Sequence, residues 1–170
     1  MKLSIGTKVI YGTNGVCIIV DYREEDFGGG KKMYYILRRA AQKTSEDIFV
    51  PEDNDLLMNK MKVMLSEKEV YDIINCIPGE KSLWIDDNRV RSVEFDKILS
   101  NGDRKQLMRL IKSIYEKKQS LSQQGKKLGI SDERTMRTAE RILYEEFAEV
   151  LNIEQEDVVP FIADRLATVN

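Results

Sequence analysis

Histidine is absent from the 170 residues of this chain, and cysteine is scarce, with only Cys17 and Cys76. Histidine is the commonest general base and the commonest metal ligand, so ordinary triad chemistry is excluded and a metal site is not expected. The two cysteines lie far apart without a CxxC pattern, which argues against a disulfide framework or a zinc site. We therefore predict a protein that is not an enzyme and needs no metal or cofactor.

Long apolar runs are also absent. No segment approaches the roughly 18 to 20 apolar residues that a membrane span requires. The opening stretch "MKLSIGTKVIYG" has polar residues and glycines where a secretory signal would be continuously apolar. We therefore expect a cytoplasmic protein that makes no contact with a membrane.

Charge is distributed unevenly, although the formal net charge is only -2. Residues 104–141 contain eleven Lys and Arg against four Asp and Glu, whereas residues 142–170 contain one against seven. The small net charge therefore conceals a basic segment followed by an acidic one, and such an arrangement indicates a surface for a charged partner.

The first fifty residues contain four short segments rich in Val, Ile, Tyr and Phe, which predict β-strands. The dipeptide Asn14-Gly15 favours the positive φ angles of a tight hairpin turn between the first two. Four or five antiparallel strands in so short a segment must curl to bury one face. We therefore predict that residues 1–64 form a small SH3-like or Tudor-like antiparallel β-barrel.

From Ser66 onward the apolar spacing becomes helical. Ser66 and Glu69 form an S-x-x-E capping box, which predicts a helix start at this point. Further helices are predicted over about 86–99 with a stop at Asn101-Gly102, after a cap at Asp103, after a cap at Ser131, and near Pro160. The predicted fold class is α+β multi-domain, with the barrel followed by an all-α helical bundle at residues 65–170.

Basic side chains gather on two of the predicted helices. Three lie opposite the apolar stripe of the third helix, three share one side of the fourth, and two occupy the loop between them: Lys105, Arg109, Lys112; Arg134, Arg137, Arg141; Lys126, Lys127. A footprint for a phosphate backbone is one interpretation. A solvated face, or pairing with an acidic protein or the acidic tail, explains the same pattern, and no base-reading motif is present.

Trp84 is the only tryptophan of the chain and lies between the Pro78-Gly79 helix stop and the helix that leads to the basic block. Because an indole buries a large area, it can serve as a core or inter-module anchor. Beside a basic surface it can instead stack on an unpaired base or wedge against one, which is worth roughly 1 to 3 kcal/mol per base. The residues alone leave both interpretations open.

The order of motifs resembles the CarD family of bacterial transcription regulators over about residues 3–155. The segments "IGTKVIYGTNGVCIIVDYREEDFGGGKKMYYIL" and "IFVPEDN" are similar to the polymerase-interacting domain shared with the transcription-repair coupling factor. The later segments "LMRLIKSIYEKK" and "AERILYEEFAEVL" resemble the family's helical DNA-binding domain. The resemblance implies a nonenzymatic factor that binds the RNA polymerase β subunit, contacts promoter DNA weakly and largely independently of sequence, stabilises the open complex, and has no small-molecule substrate.

Site residues carried over from the resemblance fall into two groups. The expected polymerase contacts are Arg23, Phe49 and Lys62, although Phe49 and Lys62 stand where an arginine is expected. Trp84 is the expected minor-groove wedge, displaced by four residues from the family's usual spacing. The expected DNA-binding set is Trp84, Arg89, Arg91, Lys105, Arg109, Lys112, Lys126, Lys127, Arg134, Arg137 and Arg141. The alternative is a protein-protein adaptor with a β-barrel docking module and no DNA contact.

Overall fold

The chain divides into two compact units, Met1–Met64 and Leu65–Asn170, here named the β unit and the helical unit. The structure is a computed structural model and describes residues 2–41 and 46–169. An antiparallel sheet is followed by helices, which confirms the predicted α+β class. Within the described ranges, no helix has the length and apolar character needed to cross a bilayer.

Five antiparallel strands make up the sheet of the β unit, in the spatial order β4-β3-β2-β1-β5. Their bounds are Lys8–Tyr11 (β1), Val16–Glu25 (β2), Lys32–Arg39 (β3), Ile48–Pro51 (β4) and Met61–Val63 (β5), with a short helix, Asp55–Met58 (α1), before β5. The strands β4 and β5 are the two edges, so the described pairing gives an open sheet, and closure into a barrel is not part of it.

The first face of the sheet packs into the core of the β unit, which includes Val9, Cys17, Ile19, Leu37 and Val50. Alternation of side chains along each strand places them together, because residues two apart share a face. The predicted tight turn between β1 and β2 is a 3₁₀ turn at Gly12–Asn14. It ends at Gly15, whose φ of 75° is a conformation that favours glycine.

A bulge halfway along β2 shifts the alternation of its side chains, so that different residues face the core before and after it. Ile19 pairs with Leu37 and Asp21 pairs with Ile36, so Val20 is one extra residue without a partner position in β3. Beyond the bulge the odd-numbered residues, including Arg23, point to the second face of the sheet. The end of β2 therefore presents charged side chains on the face opposite the core.

Five helices build the helical unit: Glu67–Cys76 (α2), Asn88–Asn101 (α3), Arg104–Gln123 (α4), Ile130–Leu151 (α5) and Val158–Val169 (α6). The predicted capping box is confirmed, because Ser66 and Glu69 each accept the other's backbone N–H. The cap at Asp103 is also confirmed, since its side chain accepts the Gln106 N–H at 2.8 Å. Gly102, with φ of 66°, ends α3 as predicted.

The predicted cap at Ser131 is wrong, because α5 already begins at Ile130 and its N-cap is Gly129. Gly129 is extended, with φ of -65° and ψ of 151°, and has no side chain to cap the first N–H groups. Asp132 and Glu133 follow in the first turn, where negative charge interacts favourably with the helix dipole.

Apolar stripes from four of these helices form the core of the helical unit. The predicted stripes of α4 and α5 are buried for the most part. The fully buried side chains include Val70, Ile74, Phe95, Leu107, Leu110, Ile114, Ala139, Leu143 and Phe147. Glu146 is 1% exposed and forms a buried ion pair with Arg104 at 2.9 Å, and it also accepts the Leu65 N–H at 2.9 Å. The backbone of Leu65, the first residue of the helical unit, is thereby hydrogen-bonded to α5 at the residue that pairs with α4.

Candidate functional site

Trp84 lies in the loop between α2 and α3, and hydrogen bonds fix the shape of that loop. The Leu83 N–H donates to Ser113 Oγ of α4 at 2.7 Å, and the Trp84 N–H donates to Ser82 Oγ at 3.2 Å. The indole Nε1–H donates to Asp86 Oδ1 at 3.2 Å. The position of the ring is therefore set before any partner arrives.

Arg91 of α3 packs against the indole of Trp84. Its guanidinium lies 4.1 Å from the centroid of the Trp84 ring, within cation-π range. It also donates to both carboxylate oxygens of Asp132 in α5, at 2.9 and 2.8 Å, and to the Ile85 carbonyl at 2.7 Å. Arg91 is 6% exposed, so the prediction that it contacts DNA phosphate is corrected: its donors are used inside the unit to hold the Trp84 loop against α5.

The partly exposed side of Trp84 lines a groove of about 670 Å³, here named the Trp84 groove. The start of α3, the side of α4 that carries Lys117, and the beginning of α5 form its walls. Lys117 Nζ lies 5.2 Å from the ring centroid, and Arg89, which is exposed, also lines the groove. Lys117 was not predicted from the sequence, although it follows Ser113 by four residues and precedes Leu121 by four, which places all three on one side of α4.

A second, smaller groove of about 390 Å³ lies on α5, here named the arginine groove. Arg134, Arg137 and Arg141 line it together, which confirms the prediction that they share one side of the helix. Ile130, which is 81% exposed, lines this groove and the Trp84 groove, so the two form one continuous surface. Lys126 and Lys127 are exposed in the loop that leads to α5.

The predicted basic face of α4 is directed at a single residue, Glu80. Lys105 Nζ and Arg109 Nε each lie 2.9 Å from an oxygen of Glu80, and Lys112 donates to the Glu80 carbonyl at 2.7 Å. The hydrogen bond from Lys105 holds the pKa of Glu80 below its usual value, despite an opposing contribution from desolvation. The expectation of an exposed face is wrong for Arg109 and Lys112, which are half-buried because they attach the Glu80 segment to α4.

Two glutamates of α5 form ion pairs with arginines of the same helix. Arg137 lies 3.5 Å from Glu133 and Arg141 lies 3.8 Å from Glu145, both as i,i+4 pairs. The Arg137–Glu133 pair is exposed, so it is worth little and is weakened by salt, whereas the side chain of Glu145 is only 12% exposed. Arg137 therefore keeps a cation that a stronger anion can recruit.

In the β unit, Arg23 and Phe49 come together while Lys62 lies apart. The register places all three on the second face of the sheet, with Phe49 on the edge strand β4 and Lys62 on the opposite edge strand β5. Arg23 forms ion pairs with Asp21 at 2.8 Å and Glu25 at 2.6 Å. The hydrogen bond from Arg23 lowers the pKa of Asp21. The Arg23 guanidinium lies 6.0 Å from the Phe49 ring centroid.

Two aromatic residues that were not predicted as site residues complete this surface. Phe27, at the tip of the β2-β3 hairpin, lies 5.3 Å from Tyr34 and 5.2 Å from Phe49, measured between ring centroids. Tyr34 and Phe49 are 6.3 Å apart, and all three pairs meet edge to face. These three residues are named the aromatic cluster. The aromatic side chains of adjacent predicted strands were a sequence signal for Tyr34 and Phe49, but Phe27 lies in the loop between β2 and β3, where no strand register places it.

Comparison with known proteins bears on the β unit. Residues 3–71 match the family model described as "CarD-like/TRCF RID domain". No curated protein matches the chain. The match spans the whole sheet and ends inside α2, so it confirms the resemblance for this part of the chain, and an RNA polymerase is the class of partner that it supports. Residues 3–71 of this chain are therefore similar to the CarD-like/TRCF RID domain.

Proposed function

We propose that this chain is a nonenzymatic transcription factor that binds the β subunit of RNA polymerase through its β unit, a Tudor-like module in this proposal. Its helical unit contacts promoter DNA next to the melted region and slows closure of the bubble. The observation that carries the proposal is the domain match over residues 3–71. The geometry of the helical unit supports the DNA contact independently.

The Trp84 groove supports the DNA contact because it combines an aromatic ring with two cationic side chains that line the same groove, Arg89 and Lys117. An indole that is already oriented can stack on a base or insert at a base step at a lower entropic cost than a mobile side chain. In this proposal Arg91 and Asp132 contribute by holding the ring, and neither contacts DNA.

The arginine groove supports a contact to the phosphate backbone. Its three arginines extend the cationic surface past Ile130, and Lys126 and Lys127 add to it. Cations of this kind position a protein on a duplex but do not read its sequence. The proposal therefore includes DNA binding that is weak, largely independent of sequence and sensitive to salt.

Two weak interfaces on one chain are sufficient for this function. When the β unit is bound to polymerase, the helical unit is confined near the promoter at a local concentration that can reach the millimolar range. Neither interface then needs high affinity alone.

A salt titration tests the DNA contact. If Arg89, Lys117 and the three arginines of the arginine groove each neutralise one phosphate, the slope of log K against log salt concentration is about -4.5 for duplex DNA. Fluorescence anisotropy of a labelled duplex between 50 and 200 mM salt measures it. A slope near zero contradicts the DNA contact and favours the alternative, an adaptor whose helical unit binds a protein.

An open-complex lifetime assay tests the function itself. The chain, purified polymerase and promoter DNA are mixed, competitor is added, and the decay of the open complex is followed. We expect Trp84→Ala to shorten the lifetime at equal occupancy of polymerase, with Tyr115→Ala, an exposed aromatic residue of α4, as the control that leaves it unchanged. Equal lifetimes for intact chain and Trp84→Ala would reject the role of the indole.

A further inference from the structure

The aromatic cluster of Phe27, Tyr34 and Phe49 reaches the surface through Phe27, while Tyr34 and Phe49 are half-buried. Phe27 is 64% exposed at the hairpin tip, while its ring contacts both of the others edge to face. Edge-to-face packing fixes the orientation of the rings and covers only the part of a ring face that a neighbouring edge meets. A rigid apolar patch of this kind on a surface marks a binding site more often than isolated apolar side chains do.

The cations of the same hairpin are already neutralised by neighbouring carboxylates. Within residues 23–32, each lysine and arginine has an acidic partner: Arg23 with Asp21 and Glu25, Lys31 with Glu24 at 3.0 Å, and Lys32 with Asp53 at 2.7 Å. Asp26, next to Phe27, adds one more carboxylate. The surroundings of the cluster are therefore neutral to acidic, although the resemblance placed an arginine where Phe49 stands.

We infer that the aromatic cluster is the centre of the polymerase-docking surface and receives an arginine or lysine side chain with apolar neighbours from the polymerase. The inference rests on the proposed function and specifies the chemistry of its partner. The faces of the three rings carry the negative part of the aromatic quadrupole, and the flanking carboxylates add negative potential. An acidic partner surface is disfavoured here, because Arg23 is already held between Asp21 and Glu25.

Truncation of Phe27 tests the cluster. Affinity of the intact chain for RNA polymerase core enzyme from the same organism is measured by biolayer interferometry. We expect Phe27→Ala to weaken binding at least about tenfold, and Phe27→Leu, which stays apolar but loses the ring face, to weaken it several-fold. Leu56→Ala is the matched control, because Leu56 is 79% exposed in the same unit but lies outside the cluster, and it should change affinity less than twofold.

A charge test separates a cationic partner from an acidic one. Phe49→Arg introduces a positive charge into the cluster, so we expect binding to weaken at least about tenfold. The double variant Asp21→Asn, Glu25→Gln removes the carboxylates that neutralise Arg23, so it should also weaken binding. Circular dichroism checks that each variant is folded. Tighter binding by either variant overturns the inference, because an acidic partner surface would gain from the new positive charge.

The outcomes for the proposed function and for this inference differ. If the unaltered chain does not bind polymerase, the proposed function fails and the inference fails with it. If the unaltered chain binds but Phe27→Ala behaves like Leu56→Ala, only the aromatic cluster loses its role, and the polymerase contact lies elsewhere on the β unit.

Discussion

Replacement of Arg91 by alanine should destabilise the helical unit strongly, although Arg91 belongs to a helix whose other charged residues are mostly exposed. The variant removes a guanidinium that joins three parts of the unit: the loop around Trp84, the start of α3 and the start of α5. It leaves the carboxylate of Asp132 buried without its cationic partner. The side chains of Arg91 and Asp132 are 7% and 11% exposed, so water can hydrate that charge only partly.

The expected loss follows from the burial of the pair. Removal of one partner of a buried ion pair typically costs about 3 to 5 kcal/mol, because the other charge is left uncompensated. The stacked indole can add up to about 2 kcal/mol when the cation is desolvated, although the two contributions are not additive. We expect a loss of about 4 kcal/mol in the free energy of unfolding. The double variant Arg91→Met, Asp132→Leu should recover much of it, since both charges are then absent.

Urea denaturation followed by tryptophan fluorescence measures this loss for the helical unit alone, because Trp84 is the only tryptophan. Far-UV circular dichroism provides a second signal that does not depend on the surroundings of the indole. The matched control is Arg89→Ala, two residues earlier on the same helix and exposed, which should change stability by less than about 0.5 kcal/mol. If Arg91→Ala costs less than about 1 kcal/mol, the argument from the buried pair is refuted.

Three further predictions concern other charged groups. Glu146→Gln should lower the free energy of unfolding by about 3 kcal/mol in urea denaturation, because Arg104 loses its partner in a buried ion pair; a loss no larger than that of an exposed glutamate variant would contradict this. The pKa of Glu80 lies below its usual value of 4.5 in the folded state, so its stabilising contribution is present above pH 4.5 and is lost as the pH falls through the lower, folded pKa. The difference in thermal midpoint between Glu80→Gln and the unaltered chain should therefore shrink in acid, and a difference independent of pH would count against it. Arg134→Glu combined with Arg137→Glu should flatten the salt slope of DNA binding by about 2 or more while polymerase affinity stays the same, and an unchanged slope would exclude both residues as phosphate contacts.

Local signals predicted most of the secondary structure. The capping box at Ser66, the cap at Asp103 and the stop at Gly102 are interactions between near neighbours, so they can be recognised in the sequence. The cap at Ser131 failed because serine is also tolerated in the first turn, and the extended glycine before it ended the loop earlier.

Long-range ion pairs could not be predicted in the same way. Arg91 and Asp132 are 41 residues apart, and the contact between Glu80 and α4 depends on how the loop after α2 returns to that helix. One sequence signal for the burial of Arg91 did exist. Arg91 shares a stripe with Phe95 and Leu99, at intervals of four residues, and such spacing on a helix predicts the buried side. Arg91 is nevertheless in the predicted DNA-binding set, because a positively charged side chain is expected at the surface.

The extra residue in β2 has a consequence for how this domain tolerates changes in length. Because Val20 occupies no position opposite β3, its deletion would straighten the strand while Asp21 and Tyr22 kept their partners. An insertion or deletion elsewhere before the hairpin tip could likewise be absorbed by gaining or losing a bulge. Homologues that differ by one residue in this strand can therefore preserve the same inward and outward side chains, and alignments that count residues without allowing for the bulge will mismatch them.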